Sequence, residues 1–374
     1  MERYFRVPNY SSAPSLTIEG AQDALLSSLR KIIDSYPPVE HPHIGFSGFY
    51  YGPTSICFLL LSLSKLYPEL RIHSKSLVEW SSAYLAISAN HFHRTSVDGS
   101  HCGVANERLT TLALMAVLED NEQRVQELCE QVANLLEEDD NTSCEWLYGF
   151  AGLLYLLRFC RHYLPQTANV IDSAIRDVVN FIMSHQPWRW HGSDYIGAVH
   201  GTIGILTQLV LSMPSAKDLL RQLTPILSRV LEIQLPSNNF PTRESSTRDE
   251  LVQFCHGAPG FVTSLHTLQP FFPSLESKIS SAIAKAERCI LERGVLTKSP
   301  CLCHGIYGNA MSLPRGDMLK FLKFNFPVFT SQKDESRDER YGLFTGEGGR
   351  AWAMAVAENE SIFKFGKILG YNDL

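Results

Sequence analysis

The sequence lacks a long uninterrupted hydrophobic segment. Its most apolar stretch, residues 56–63, is far shorter than the roughly 20 residues that a membrane-spanning helix requires. The opening residues, MERYFRVPNY, also lack the charged and then apolar order of a secretory signal. We therefore expect no transmembrane segment, and a peripheral membrane contact, which needs no anchor, is left open.

An excess of positive charge is also absent. Lysine and arginine number 33 against 39 aspartates and glutamates, and the two signs are interspersed without a basic stripe. This charge distribution argues against nucleic acid as a partner. The nine cysteines are an odd number in a chain without an export signal. We expect them to be free thiols or metal ligands in the cytoplasm, not a disulfide framework.

Seven short turns share one pattern, in which a glycine and a small residue three positions later precede an apolar run. They recur about every 50 residues, which is room for one helical hairpin each. The runs after the glycines are apolar on nearly all sides, whereas the segments between them have one polar face. The turns begin at Gly52, Gly103, Gly149, Gly201, Gly257, Gly305 and Gly346.

This repeat predicts the fold class. We expect an all-α protein with a single domain over residues 1–374, built as an α/α toroid (barrel) of seven helical hairpins. The Gly-rich turns should gather at one mouth, because glycine accepts positive φ and allows close backbone contact. The alternative is an all-α bundle in which the glycines merely break helices, and the regular recurrence of the turn argues against it.

The tripeptide Cys-His-Gly occurs twice, at residues 255–257 and 303–305. Cysteine and histidine are preferred zinc ligands, and three protein ligands with one open position are typical of catalytic zinc. Cys255, Cys303 and His304 supply such a set. A helix start after each phrase favours the thiolate form that a cysteine ligand needs. The sequence therefore predicts one catalytic Zn²⁺ per chain.

Other ligand sets compete with this one. Cys301 and His256 lie beside the proposed ligands in the chain. A closed structural site would use all four cysteines and histidines of the two phrases. That arrangement is strained, because adjacent side chains at a helix start point in different directions. A chain without metal is the third possibility.

A histidine also precedes the glycine of the fourth turn. Zinc with two thiolates suits a bound thiol that stays nucleophilic at neutral pH. Addition of that thiol to an activated alkene generates an enolate, which needs a proton. His200 is the candidate general acid, because histidine titrates close to neutral pH, although a single histidine often has a structural role. Glu145 is a candidate to orient or recharge it.

At these residues the chain resembles the LanC-like family, the eukaryotic relatives of bacterial lanthionine cyclases. The most specific features are Tyr195-x-Gly-Ala-x-His-Gly-x-x-Gly and the two Cys-His-Gly phrases. The resemblance covers essentially the whole chain, including Arg3-Tyr-Phe and residues 45–60, 144–157, 190–206, 239–262 and 298–309. It implies a seven-hairpin α/α barrel with one zinc.

The resemblance also assigns roles to individual residues. The family's zinc ligands match Cys255, Cys303 and His304. Its proton-handling histidine matches His200. Its acidic partner matches Glu145, where bacterial cyclases have aspartate.

Further positions match residues that contact the substrate. Lys298 matches a lysine that contacts glutathione, and Arg3 matches an N-terminal arginine. Tyr195 is grouped with these substrate-binding candidates. Thr345 stands where eukaryotic relatives often have glutamate, so either Glu347 compensates or peptide recognition differs.

The resemblance implies an enzyme that adds glutathione through its thiol to dehydroalanine or dehydrobutyrine, forming a thioether. Its partners would be glutathione and peptides or damaged proteins that contain these dehydroamino acids. One alternative is a zinc protein that binds glutathione or a peptide without turnover. Another is a cyclase that forms lanthionine rings within one peptide, which would need a second enzyme to supply dehydrated substrate.

Overall fold

The computed structural model describes residues 3–6, 10–137, 142–324, 336–365 and 368–374. In chain order the α-helices are α1 (Ile18–Ser35), α2 (Pro53–Leu66), α3 (Leu77–Ala89), α4 (Glu107–Leu118), α5 (Glu122–Glu137), α6 (Phe150–Tyr163), α7 (Ala168–Ser184), α8 (Thr202–Ser212), α9 (Lys217–Glu232), α10 (Ala258–Leu268), α11 (Glu276–Arg293), α12 (Ile306–Met311), α13 (Arg315–Lys323), α14 (Arg337–Tyr341), α15 (Glu347–Glu358) and α16 (Glu360–Phe365). Short 3₁₀ turns span Tyr10–Ser12, Phe92–Arg94, Pro165–Thr167, Gln269–Phe271 and Pro273–Leu275. The described strands, β1 (Arg71–Ile72) and β2 (Lys75–Ser76), form one antiparallel pair.

Within the described residues, seven helices form a closed inner ring. Each of α2, α4, α6, α8, α10, α12 and α15 contacts the next, and α15 contacts α2 again. These helices are buried on nearly all sides, as their apolar sequences predict; residues 53–64 of α2 are buried without exception. The prediction of an all-α toroid is therefore confirmed.

A second layer of helices surrounds this ring. The outer helices α3, α5, α7, α9, α11 and α13 each pack on the inner helix that precedes them, and α1 packs on α15 to complete the seventh hairpin. They are amphipathic: α9, for example, buries Leu219, Leu223 and Leu227 and exposes its charged face. Among the described residues, no helix has the length and apolar character needed to cross a membrane.

Six of the inner helices have the predicted glycine as their N-cap, whereas the second turn differs. There α4 begins four residues after Gly103, and Asn106 caps it by accepting a hydrogen bond from the backbone N–H of Leu109 at 3.0 Å. At this turn a polar side chain caps the helix, whereas the N-cap residue of the other six inner helices is a glycine, which has no side chain. Positive φ is adopted at Gly52 (86°) and Gly257 (108°), and those two turns require glycine for that reason.

Backbone hydrogen bonds join consecutive glycine turns around one mouth of the ring. Between the fourth and fifth turns the backbones touch directly, since a Cβ on Gly197 would lie only 2.4 Å from the carbonyl oxygen of Cys255. The mouth therefore brings residues distant in the chain into one shared layer. The joining bonds are Phe49 N to Val104 O, Ala105 N to Leu147 O, Trp146 N to Val199 O, Cys255 N to Cys303 O, Cys303 N to Phe344 O and Phe344 N to Tyr50 O, all between 2.8 and 3.1 Å.

Candidate functional site

Two thiols from the fifth and sixth turns meet at the mouth. Cys255 and Cys303 are buried, 6% and 4% exposed, and their side chains are hydrogen-bonded to each other. The bond lowers the pKa of Cys255, although burial opposes this, and the same bond together with burial raises the pKa of Cys303. Of the two thiols, Cys255 is therefore the one that loses its proton more readily.

Polar side chains complete the surroundings of this thiol pair. The Nε2 of Gln253 donates to the Sγ of Cys255 at 2.9 Å, and the Nζ of Lys298 donates to the Oε1 of Gln253 at 2.9 Å. The hydroxyl of Tyr50 is hydrogen-bonded to Cys303, and burial raises the pKa of Tyr50 well above its usual range. Gln253 thus lies between Lys298 and the sulfur of Cys255 and is hydrogen-bonded to both.

The sequence analysis missed Gln253 and Tyr50, although a signal for Tyr50 exists. Cys255 and Cys303 each lie two residues before the glycine of their turn, and Tyr50 lies two residues before Gly52. Because the turns pack side by side around the mouth, residues in the same register converge there. Aligning the seven turns would have placed Tyr50 beside the cysteines.

His304 follows Cys303 on the same turn. Burial lowers its pKa to about 4, so the imidazole is neutral at physiological pH, which is the form that binds zinc. Its backbone N–H points at the Sγ of Cys301, 3.4 Å away. In the part of the chain that the structure describes, no three His, Cys, Asp or Glu side chains form a metal-holding group.

The structure therefore joins two of the three predicted zinc ligands, Cys255 and Cys303, and does not place His304 with them. The donor chemistry nonetheless fits zinc, because two thiols touch in a buried site and a neutral imidazole follows one of them. His256, a competing candidate, has its ring centroid 5.8 Å from that of His200. Burial lowers its pKa to about 4, and its buried Nδ1 has no hydrogen-bond partner among the described residues.

The structure also brings His200 and Glu145 together. The Nδ1 of His200 lies 3.1 Å from the Oε2 of Glu145, which is only 2% exposed. The same carboxylate accepts the backbone N–H groups of Leu147 at 2.7 Å and Tyr148 at 2.5 Å. As a carboxylate only accepts, the Nδ1 of His200 carries the hydrogen and the Nε2 is left to face other groups.

An aromatic wall flanks His200. The ring of Trp190 stacks on the imidazole with centroids 3.9 Å apart and planes 7° from parallel. The ring of Tyr148 is also nearly parallel to the imidazole, at 6.0 Å, and Tyr195 packs edge-on against Trp190 at 5.4 Å. Stacking on Trp190 fixes the plane of the imidazole, and the hydrogen bond to Glu145 fixes the position of its Nδ1.

The polar loop at residues 235–250, which precedes Cys255 in the chain, is anchored to this wall. Arg243 lies over the ring of Tyr195 at 4.9 Å and donates to its hydroxyl at 3.1 Å. Phe240 and Asn239 of the same loop are buried. In this structure the loop packs against the aromatic wall beside His200.

The N-terminal segment runs beside the residues that precede Lys298. Thr297 N donates to the carbonyl of Arg3 at 3.0 Å, so Arg3 and Lys298 lie on the same side of the molecule. The guanidinium of Arg3 is 3.4 Å from the carboxylate of Glu250, and both side chains are about half exposed. Arg3 is thus paired with Glu250 beside the segment that carries Lys298.

Glu347 is engaged elsewhere and does not take the place of Thr345. Its carboxylate accepts from Lys31 at 2.6 Å, Ser28 at 2.8 Å and Arg350 at 3.0 Å, in the contact between α1 and α15. The hydroxyl of Thr345 donates to a backbone carbonyl at 2.5 Å. A carboxylate at the seventh turn is therefore not supplied by Glu347.

Comparison with known proteins agrees with this architecture. The family described as lanthionine synthetase C-like protein matches residues 43–315. Glutathione S-transferase LANCL1 of Danio rerio is 30% identical over 222 residues, which are 53% of this chain and 54% of that protein. LanC-like protein GCL1 of Arabidopsis thaliana is 30% identical over 250 residues, 59% of this chain and 57% of that protein. The chain thus spans little more than half the length of the curated relatives it matches.

A solved structure with the same fold is nisin cyclase. It superposes with a TM-score of 0.57 over 91% of this chain and 95% of its own, at 14% sequence identity. The similarity extends to the ring of helices as a whole.

Proposed function

The chain belongs to the lanthionine synthetase C-like family, and we propose that it adds the thiol of glutathione to dehydroalanine or dehydrobutyrine residues in peptides or proteins, forming a thioether. The observation that carries the proposal is a buried thiol pair, Cys255 and Cys303, in the same mouth as a carboxylate-held histidine, His200. The two parts lie near each other, since the ring of His256, which follows Cys255 in the chain, has its centroid 5.8 Å from that of His200. One part suits activation of a thiol and the other suits delivery of a proton.

We propose that Cys255, Cys303 and His304 hold one Zn²⁺. When bound, the ion would lower the pKa of a substrate thiol at its open position, so that the thiol is nucleophilic at neutral pH. Gln253 supports this set by donating to the sulfur of Cys255. Lys298 adds positive charge behind Gln253, which favours anions at the site.

Proton delivery falls to His200. Addition of the thiolate to the β-carbon forms the C–S bond, breaks the C=C π bond and leaves a negative charge on the α-carbon and its carbonyl. The Nε2 of His200 faces away from Glu145 and donates the proton that the α-carbon needs. The proton lost by the thiol passes to solvent, and His200 regains one from solvent, so the cycle balances.

Substrate binding is proposed for the cations and the aromatic wall. Lys298 and Arg3 suit the two carboxylates of glutathione, since charge-assisted hydrogen bonds are stronger than neutral ones. Tyr195 and Trp190 offer apolar faces to the acceptor peptide beside His200. None of the nine cysteines, all of which lie among the described residues, is joined in a disulfide, which agrees with the cytoplasmic location that we propose.

The test is to incubate the zinc-supplemented protein with glutathione and a synthetic peptide that contains dehydroalanine. Mass spectrometry should detect a peptide that has gained one glutathione, formed faster than without protein. The variant His200→Ala should bind glutathione as the wild type does and lose most of the rate. Glutathione binding without any rate above background would instead favour the non-catalytic binding protein. A ring closed within a peptide that has both cysteine and dehydroalanine, with no glutathione adduct, would favour the cyclase.

A further inference from the structure

Residues 368–374 lie inside the ring of helices. Ile368, Leu369 and Tyr371 are at most 1% exposed. Three consecutive inner helices bind this segment with side chains. The bonds are Tyr155 of α6 to the carboxylate of Asp373 (3.0 Å), Gln208 of α8 to the carbonyl of Tyr371 (3.0 Å), the hydroxyl pair of Ser264 of α10 and Tyr371 (2.6 Å), and Asn372 to Thr267 of α10 (3.0 Å).

The segment also contacts the residues that precede and follow the functional side chains. The indole Nε1 of Trp146 donates to the carbonyl of Gly370 at 3.0 Å, across 224 residues of sequence. Tyr371 packs edge-on against Trp146 at 5.6 Å and against Phe254 at 5.2 Å. Trp146 follows Glu145 in the chain, and Phe254 precedes Cys255. The segment therefore supports two mouth turns from within the barrel.

The support reaches the functional groups through the backbone. The carboxylate of Glu145 is fixed by the N–H groups of Leu147 and Tyr148, so its position depends on the shape of its turn. Trp146 is the fully buried anchor of that turn, with its single polar hydrogen satisfied by Gly370. A shift of Trp146 would move Glu145 and, with it, His200.

We infer that residues 368–373 are a positioning element, and that Trp146 and Tyr371 act as positioning residues for Glu145 and His200. The catalytic role in this inference rests on the proposed function. The mechanical link, by which residues 368–373 hold the turn of Glu145 in place, does not. Nothing in the turn pattern itself requires an internal support, because the turns are already joined by backbone hydrogen bonds. The segment adds a side-chain contact from the inside at the turns that bear Glu145 and Cys255.

Hydrogen exchange tests the link without any assay of activity. Trp146→Phe removes the donor to Gly370, and Tyr371→Ala removes the ring beneath Trp146. In both variants the amides of Leu147 and Tyr148 should exchange roughly tenfold faster, since local opening becomes easier. Tyr371→Phe keeps the ring and should leave this exchange close to that of the wild type. Tyr67→Phe is the matched control and should also leave it unchanged, because it removes a hydroxyl bonded to the carboxylate of Glu358 at 2.7 Å, outside this segment.

Kinetics give the second readout. If the wild type adds glutathione to a dehydroalanine peptide, Trp146→Phe should lower kcat with the KM for glutathione unchanged, because positioning and not binding is affected.

Unchanged exchange of residues 147–148 in both Trp146→Phe and Tyr371→Ala would overturn the inference. So would equal acceleration in the Tyr67→Phe control, which would indicate general loosening. If the wild type shows no addition at all, the proposed function fails while the exchange data still decide the mechanical link. Trp146→Phe preserves an aromatic ring, so it decides the matter even where Tyr371→Ala does not fold.

Discussion

The imidazole Nδ1 of His200 and the carboxylate Oε2 of Glu145 lie 3.1 Å apart, although 55 residues separate them in the chain. The carboxylate is itself fixed by two backbone N–H groups of its own turn. This arrangement holds one nitrogen of the imidazole and frees the other. It is the relationship on which the proposed proton delivery depends.

Loss of the negative charge at Glu145 should slow the reaction. Glu145→Gln keeps an oxygen that accepts from His200 but removes the charge that stabilises a protonated imidazole. We expect kcat to fall by about 100-fold, at the low end for general acid catalysis, with the KM for glutathione unchanged. Steady-state kinetics with a dehydroalanine peptide measure this. Glu145→Asp should retain more activity than Glu145→Gln, and the reverse order would contradict the proposed role of the charge.

Lys298 should contribute to binding of glutathione. Lys298→Gln removes a cation beside Gln253, so the KM for glutathione should rise by about tenfold while kcat changes little. Lys278, which pairs with Glu232 on α9 at 3.2 Å, offers a matched control. Lys278→Gln should leave both constants as they are. A fall in kcat with an unchanged KM in Lys298→Gln would show that the lysine acts on the thiol pair and not on the substrate.

Zinc content should follow the cysteines of the thiol pair. Elemental analysis should find about one zinc per chain in the wild type and none in Cys303→Ala, because a thiolate ligand is lost. Cys301→Ala is the control, since Cys301 lies on the same turn and is not a proposed ligand. Zinc retained in Cys303→Ala but lost in Cys301→Ala would replace the proposed ligand set with the competing one.

The buried carboxylate of Glu107 should make stability depend on pH. Burial raises its pKa from 4.5 to about 7 in the folded state, although Thr54 and the backbone of Gly48 donate to it. Between these values the folded state binds more protons than the unfolded state, so the free energy of unfolding falls as pH rises through this window. The decrease is on the order of 3 kcal/mol from this group.

Urea unfolding at several pH values measures this contribution. Glu107→Gln does not titrate, so its unfolding free energy should fall less than that of the wild type between about pH 5 and pH 8. The comparison between the two proteins removes the contributions of other titrating groups. Identical slopes would mean that Glu107 does not bind its proton more tightly in the folded state.

The fold could be predicted from the sequence because its signal is local and repeated. Each glycine turn is followed by a run of apolar residues, and seven such runs form a ring whose members contact their neighbours. The second turn departs from the pattern because Asn106, not glycine, caps its helix. The meeting of Cys255 and Cys303 follows from the same repeat, since both occupy the same register of their turns.

The rest of the site could not be predicted because it depends on contacts between distant residues. Trp190 stacks on His200 and Trp146 bonds to Gly370, and no periodic pattern marks either pair. Gln253 is positioned by the meeting of two turns, which brings Lys298 to it. Glu347 appears available in the sequence, but its position on α15 commits it to α1.

The measurement that tests the central claim most directly is the configuration of the α-carbon in the thioether product. Uncatalysed addition of glutathione to dehydroalanine protonates both faces, whereas a proton delivered by His200 comes from one face. The account predicts a product of one configuration with the wild-type protein, and a mixture at the background rate with His200→Ala. An equal mixture of both configurations from the zinc-loaded wild type would contradict it.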